Sequence, residues 1–202
     1  MKKRKRVNKK KFNLLEEYKK SLNYLRESKK FIYAIIGIFF FFVLFGYFIP
    51  PPEFIYTKLI DFIRELFETT KDLSMSELIK FIIANNTQST FFGIILGMFL
   101  GVFPIINAIM NGYMLGFVSM LSVENGGLLS LWRLLPHGIF ELPAIFISLG
   151  LGLKFGTFIF QKEKLKSFAD YFLNSMRIFL LIVIPLLIIA GIIEGALMVF
   201  FP

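Results

Sequence analysis

The chain has no cysteine, one histidine and one tryptophan. Without thiols there is no disulfide, no thiol nucleophile and no thiolate metal site, and the redox compartment cannot be read. A single imidazole, His137, removes every site that needs two or more. Also missing are a Gly-x-Ser-x-Gly nucleophile elbow, paired catalytic aspartates in apolar stretches, a His-Glu-x-x-His helix and a phosphate-binding glycine loop. Ser119 and Ser148 have no base within their own segments. These absences set aside the familiar hydrolases, so no catalytic residue, resident metal or cofactor is expected.

What is present is apolar surface. Of 202 residues, 56% are hydrophobic and 27 are phenylalanine, with a mean hydropathy of +0.69. That composition predicts an all-α polytopic membrane protein rather than a soluble domain. The net charge of +9 sits at one end, because residues 1–30 hold thirteen Lys and Arg against Glu16, Glu17 and Glu27. A basic run directly before an apolar stretch sets topology and contacts anionic lipid headgroups, so a cytoplasmic amino terminus is expected and nucleic acid is not. Ile49-Pro50-Pro51-Pro52 lacks a small-residue cleavage site, which argues against a signal peptide.

Two domains of unequal kind follow: a basic cytoplasmic amphipathic segment over 1–30, and one integral membrane domain over 31–202. In the first, Leu14 or Leu15, Tyr18, Leu22 and Leu25 recur at helical spacing, predicting a helix on the cytoplasmic surface. Phe31 to Phe48 is long enough for the first span. An external segment over 50–84 opens with an amphipathic helix near 53–68, and a capping box at Ser74 and Glu77 starts another near Met75. That helix is expected to end or bend at Asn85-Asn86-Thr87.

Residues 88–123 would make a helix of roughly 50 Å, too long for one crossing. Breaks are expected at Pro104 and across Asn107, Asn111 and Gly112, leaving two tilted helices or a re-entrant pair. Leu128 to Leu153 is the next span. Lys154, Lys162, Lys164, Lys166 and Arg177 mark a cytoplasmic connection, and 177–201, kinked at Pro185, takes the carboxyl terminus outside in the cell membrane. About five transmembrane or re-entrant helices result, with interfacial amphipathic helices beside them.

Gly93, Gly97 and Gly101 repeat every four residues, as do Gly112/Gly116, Gly152/Gly156 and Gly191/Gly195. Such notches let helix backbones approach closely, first between spans of one chain and, as the alternative, across a homodimer.

Arg133, His137 and Glu141 stand at i, i+4 and i+8, forming one polar stripe on a helix that is otherwise apolar. At 1.5 Å per residue His137 lies about 10 Å and Glu194 about 12 Å below the outer boundary, so the two spans can meet there. Ionisable groups at that depth need partners or water. The cluster reads first as a hydrogen-bonded clasp between spans and second as a proton or cation pathway. A zinc site would have to add Glu194 and water to His137 and Glu141.

Pro136-His137-Gly138-Ile139-Phe140-Glu141-Leu142-Pro143-Ala144, preceded by Asn111-Gly112 with Gly116 one turn on and by Asn85-Asn86, resembles the stage II sporulation protein M family. The resemblance covers roughly residues 75–200. In spore formers it implies a membrane scaffold that recruits cell-wall-degrading partners at a septum. Relatives occur far beyond spore formers, so what carries to this chain is the integral-membrane character and the motif positions His137, Glu141 and Pro143. Membrane or envelope proteins are the partners it implies.

Overall fold

The structure, a computed structural model, describes residues 13–200 apart from the side chains of 132–137 and 200. The densest basic run, over residues 1–12, therefore lies outside the described residues. Among those described there are helices and turns and no strand.

Helix α1 runs unbroken from Leu14 to Phe48, about 52 Å at 1.5 Å per residue. The side chain of Asn13 caps it, accepting the Leu15 N–H at 3.1 Å. A helix lying on the cytoplasmic surface and leading directly into the first span was expected here, and the two are one continuous rod. Nothing between Arg26 and Ala34 breaks a helix, and Ser21, Tyr24 and Ser28 are buried against neighbouring helices instead of lying on a surface. The triple proline then stops the helix, since proline lacks an N–H and pushes the preceding residue to extended backbone.

Helix α2 (Glu53–Thr70) buries no residue, and Tyr56 meets Phe117 edge to face with ring centroids 5.5 Å apart. Helix α3 (Met75–Ile95) begins where the capping box places it. The Glu77 carboxylate accepts the Ser74 N–H at 2.9 Å and its hydroxyl at 2.5 Å, which holds the carboxyl below the usual carboxylate range at this surface end. The expected end at Asn85-Asn86-Thr87 does not occur. Polar residues cost a helix interior only a few tenths of a kcal/mol each, roughly, and the Thr90 hydroxyl donates to the Asn86 carbonyl at 2.7 Å.

The chain reverses later than Asn86 and earlier than Pro104. A 3-10 turn over Leu96–Met98 leads to Leu100 and Gly101, both left-handed with φ of 59° and 71°. Helix α4 (Val102–Gly126) then runs straight through Asn107, Asn111 and Gly112, correcting the expected breaks there. Pro104 falls in its first turn, where the missing N–H would have had no partner anyway. The Asn111 amide donates to the carbonyl and side-chain oxygens of Asn107, both at 2.9 Å, so these residues are satisfied without breaking the helix. The 88–123 stretch is thus two helices, with its turn one helical turn before the proline.

Helix α5 (Leu135–Gly156) follows a 3-10 segment, and α6 (Lys164–Ile178) passes through a π-helical turn at Phe179–Val183 into α7 (Ile184–Phe200). The π turn sits just ahead of Pro185, where an α-helical ladder would lose a hydrogen bond.

Among the described residues four helical stretches, Leu14–Phe48, Val102–Gly126, Gly138–Phe160 and Lys164–Val199, are long and apolar enough to cross a membrane. Helix α3 is less apolar but runs antiparallel beside α7, with Ile79 at Gly195, Ile83 at Gly191 and Phe91 at Phe179. Helix α5 is central. One core cluster joins its Ala144 and Leu151 to Tyr24, Ile94, Ile178, Val183 and Leu187, and a second joins its Phe146 and Leu149 to Ile35, Phe39 and Ala108.

Close approach is what glycine supplies to this bundle. A methyl group on Gly97 would collide with the backbone of Gly152, and one on Gly116 with the Val43 carbonyl on α1. The Gly93, Gly97 and Gly101 face looks onto Leu149, Gly152 and Leu153 of the same chain.

Candidate functional site

Helix α5 carries two polar features, one toward each of its ends. At its start Glu141 lies within electrostatic reach of Glu194 on α7, and both carboxylates are half-buried. One oxygen of Glu194, Oε2, is buried and finds no hydrogen-bond partner among the described residues. No lysine or arginine among the described residues comes within ion-pair distance of either group. A carboxyl group at this depth can donate a hydrogen bond when protonated or bind a cation when ionised. Among the described residues no three His, Asp or Glu side chains converge as metal ligands.

The side chains of Arg133, Pro136 and His137 lie outside the described residues, so the rest of the stripe is not placed against Glu141. Pro143 sits inside α5 without ending it and is exposed. Its ring leaves the Ile139 carbonyl, two residues before Glu141, without the usual helical donor. Asn107 and Asn111 pair with each other on α4, while Gly112 faces the Phe39 carbonyl on α1. Asn107, Asn111 and Gly112 serve helix continuity and contact, not a chain break.

The second feature escaped the sequence. Lys154, near the other end of α5, is buried with 7% of its surface exposed. Its Nζ stands 3.6 Å from the ring centroid of Tyr24 and 5.4 Å from that of Tyr171. It donates to the Ser28 hydroxyl at 3.1 Å and lies 3.8 Å from the Glu27 carboxylate. Beside it, Arg177 bonds Glu17 at 2.5 Å, and Glu17 also pairs with Lys20. A desolvated cation over an aromatic ring contributes up to about 2 kcal/mol. This cage ties the base of α1 to α5 and α6. From sequence Lys154 and Arg177 counted only as topology charges, because Tyr24 and Ser28 stand more than 120 residues away. The one local signal is Tyr24 and Ser28 at i, i+4, opposite a lysine that ends an apolar run.

A family model for stage II sporulation protein M matches residues 35–197 of the chain. That span takes in α2 to α6 whole, the second part of α1 from Ile35, most of α7, and both carboxylates. No curated protein and no solved structure matches it.

Proposed function

The chain belongs to the stage II sporulation protein M family, and from that membership and the packing of the bundle we propose that it is a membrane scaffold without catalytic activity of its own, working as a homodimer in the cell membrane. The observation that carries the reading is contact of helices through their backbones. Gly97 on Gly152 and Gly116 on Val43 leave no room for a side chain, which makes a rigid frame and not a sliding one. Outside that frame α2 keeps Phe54, Phe62, Leu66 and Phe67 exposed, a face for the bilayer surface or for an envelope protein. The basic residues at the start of α1 and around α6 set the amino terminus in the cytoplasm and the carboxyl terminus outside. Anionic lipid is the partner of the amino-terminal segment.

In this reading Glu141 and Glu194, with His137 and Arg133, clasp α5 to α7. Glu141→Ala then lowers the melting temperature in detergent, and a variant as stable as the wild type removes the clasp. The second reading is a proton or cation pathway through Glu141, Glu194 and His137, favoured by the buried Glu194 Oε2, which has no partner among the described residues. Purified protein in proteoliposomes separates the two. The scaffold predicts ion flux no greater than in empty vesicles, and flux that disappears with Glu141→Gln replaces the scaffold with the pathway.

A further inference from the structure

Helix α3 has a face that nothing among the described residues covers. Asn85, Gln88, Ser89 and Phe92 are exposed, and Phe81 is half-buried on the same side. Since Ile83 meets Gly191 and Ile79 meets Gly195, Asn85 is level with Ile189, an exposed aliphatic residue on α7 in the middle of an apolar span. Amide groups at that depth face hydrocarbon, where a polar group without a partner is unfavourable. Inside the chain the Asn85 amide reaches only the Asn86 side chain, at 3.4 Å.

The spacing of this face is informative. Phe81, Asn85, Gln88 and Phe92 follow one another at intervals of four, three and four, the alternation of fours and threes by which the seam positions of a heptad keep one face of a helix against a parallel partner. We propose that two copies of this chain associate through α3, side by side and parallel about a two-fold axis along the membrane normal, with those four residues on the seam. The proposal rests on the homodimer reading above and gives it a surface.

A parallel two-fold seam brings each residue opposite its own copy, so its side chains must be self-complementary. Asn and Gln are, since each amide both donates and accepts. No charged residue occurs between Phe81 and Phe92, so no like charges are brought together. Beside the seam an open groove of about 530 Å³ lies between α3 and the π turn ahead of α7, lined by Ile83, Ala84, Gln88, Phe91 and Phe179 with Lys80 and Thr87 at its polar side, and it has room for an aromatic ring from the other copy. The Gly93, Gly97 and Gly101 face cannot serve this purpose, because α5 of the same chain occupies it.

The absence of cysteine makes the test direct. Asn85→Cys, Gln88→Cys and Phe92→Cys, each alone in the full-length protein in lipid nanodiscs, should form disulfide-linked dimers on mild oxidation. Ile189→Cys, at the same depth on α7, should give only background cross-linking. The double variant Asn85→Leu with Gln88→Leu should keep its helical spectrum and raise the dimer dissociation constant in detergent roughly tenfold. A dimeric mass with only background cross-linking at all three seam cysteines overturns the α3 surface and leaves the homodimer reading standing. A monomeric wild-type mass overturns both.

Discussion

Helices α5 and α2 are opposites. Helix α5 lies in the middle, shared by both core clusters, with Gly150, Gly152 and Gly156 buried against three different segments. Helix α2 buries no residue at all. Both are helical by local sequence, yet one is held by shape and the other by its interface with whatever surrounds the bundle. A change to α5 should therefore be felt throughout the fold, and a change to α2 only in what the protein binds.

The sharpest way to break this contrast is Gly152→Leu or Gly97→Leu. Either forces backbones apart, and a loss of about 3 kcal/mol or failure to fold is expected, read as melting temperature and detergent-soluble yield. A stable, well-expressed variant would show that the close contact is not needed. Next comes Lys154→Met, which keeps the volume but removes the cation from the Tyr24 ring and the bond to Ser28. A loss of about 2 kcal/mol in reversible unfolding is expected. An unchanged midpoint would mean that an apolar contact holds α1 to α5 as well as the cage does.

Leu100 offers a change of opposite sign. It holds a left-handed φ of 59° next to Gly101 and is exposed, so Leu100→Gly should stabilise by about 0.5 kcal/mol, after the loss from a freer unfolded chain offsets part of the relieved strain. Destabilisation would show that its side chain matters to packing. On α2, the pair Phe62→Ser and Leu66→Ser should shift stability by less than about 0.5 kcal/mol while weakening association with lipid vesicles. A large drop in melting temperature would put α2 in the fold itself.

The smallest effect belongs to the start of α3. The Glu77 carboxyl is held below its usual range by its bonds from Ser74, so the folded state favours its charged form. Its contribution is present above the unfolded carboxyl range and fades as pH falls through the lowered folded value. Wild type should thus exceed Glu77→Gln in stability at neutral pH and converge with it in acid. A gap that persists in acid would assign the effect to something other than charge.

How much could be read in advance differs from element to element. Ser74 and Glu77 announce the start of α3, and the Pro50-Pro51-Pro52 run announces the end of α1, because caps and prolines act on the nearest few residues. That the first half of α1 packs against other helices was not legible. Lysines on a helix suggest a surface, and only the Tyr24 and Lys154 contact shows one side of that segment to be inside. The reversal after Ile95 was misplaced for a related reason. Pro104 and the asparagines carry strong local signals, but Pro104 is harmless in a first turn and Asn111 bonds back to Asn107. Glu141 and Glu194 were visible as charges out of place, and counting residues put His137 and Glu194 at similar expected depth.

Composition, periodicity and caps determined that this is an all-helical membrane protein, and the Pro136 to Ala144 string, by its resemblance, pointed to its family. Each of those signals depends on neighbours in sequence or on the average character of a segment. Tertiary structure decided which glycine face meets which helix, where the chain turns, and that a lysine at the end of a span is caged by tyrosines. Those outcomes depend on contacts between residues far apart in the chain, and local preferences of a few tenths of a kcal/mol per residue, roughly, yield to them.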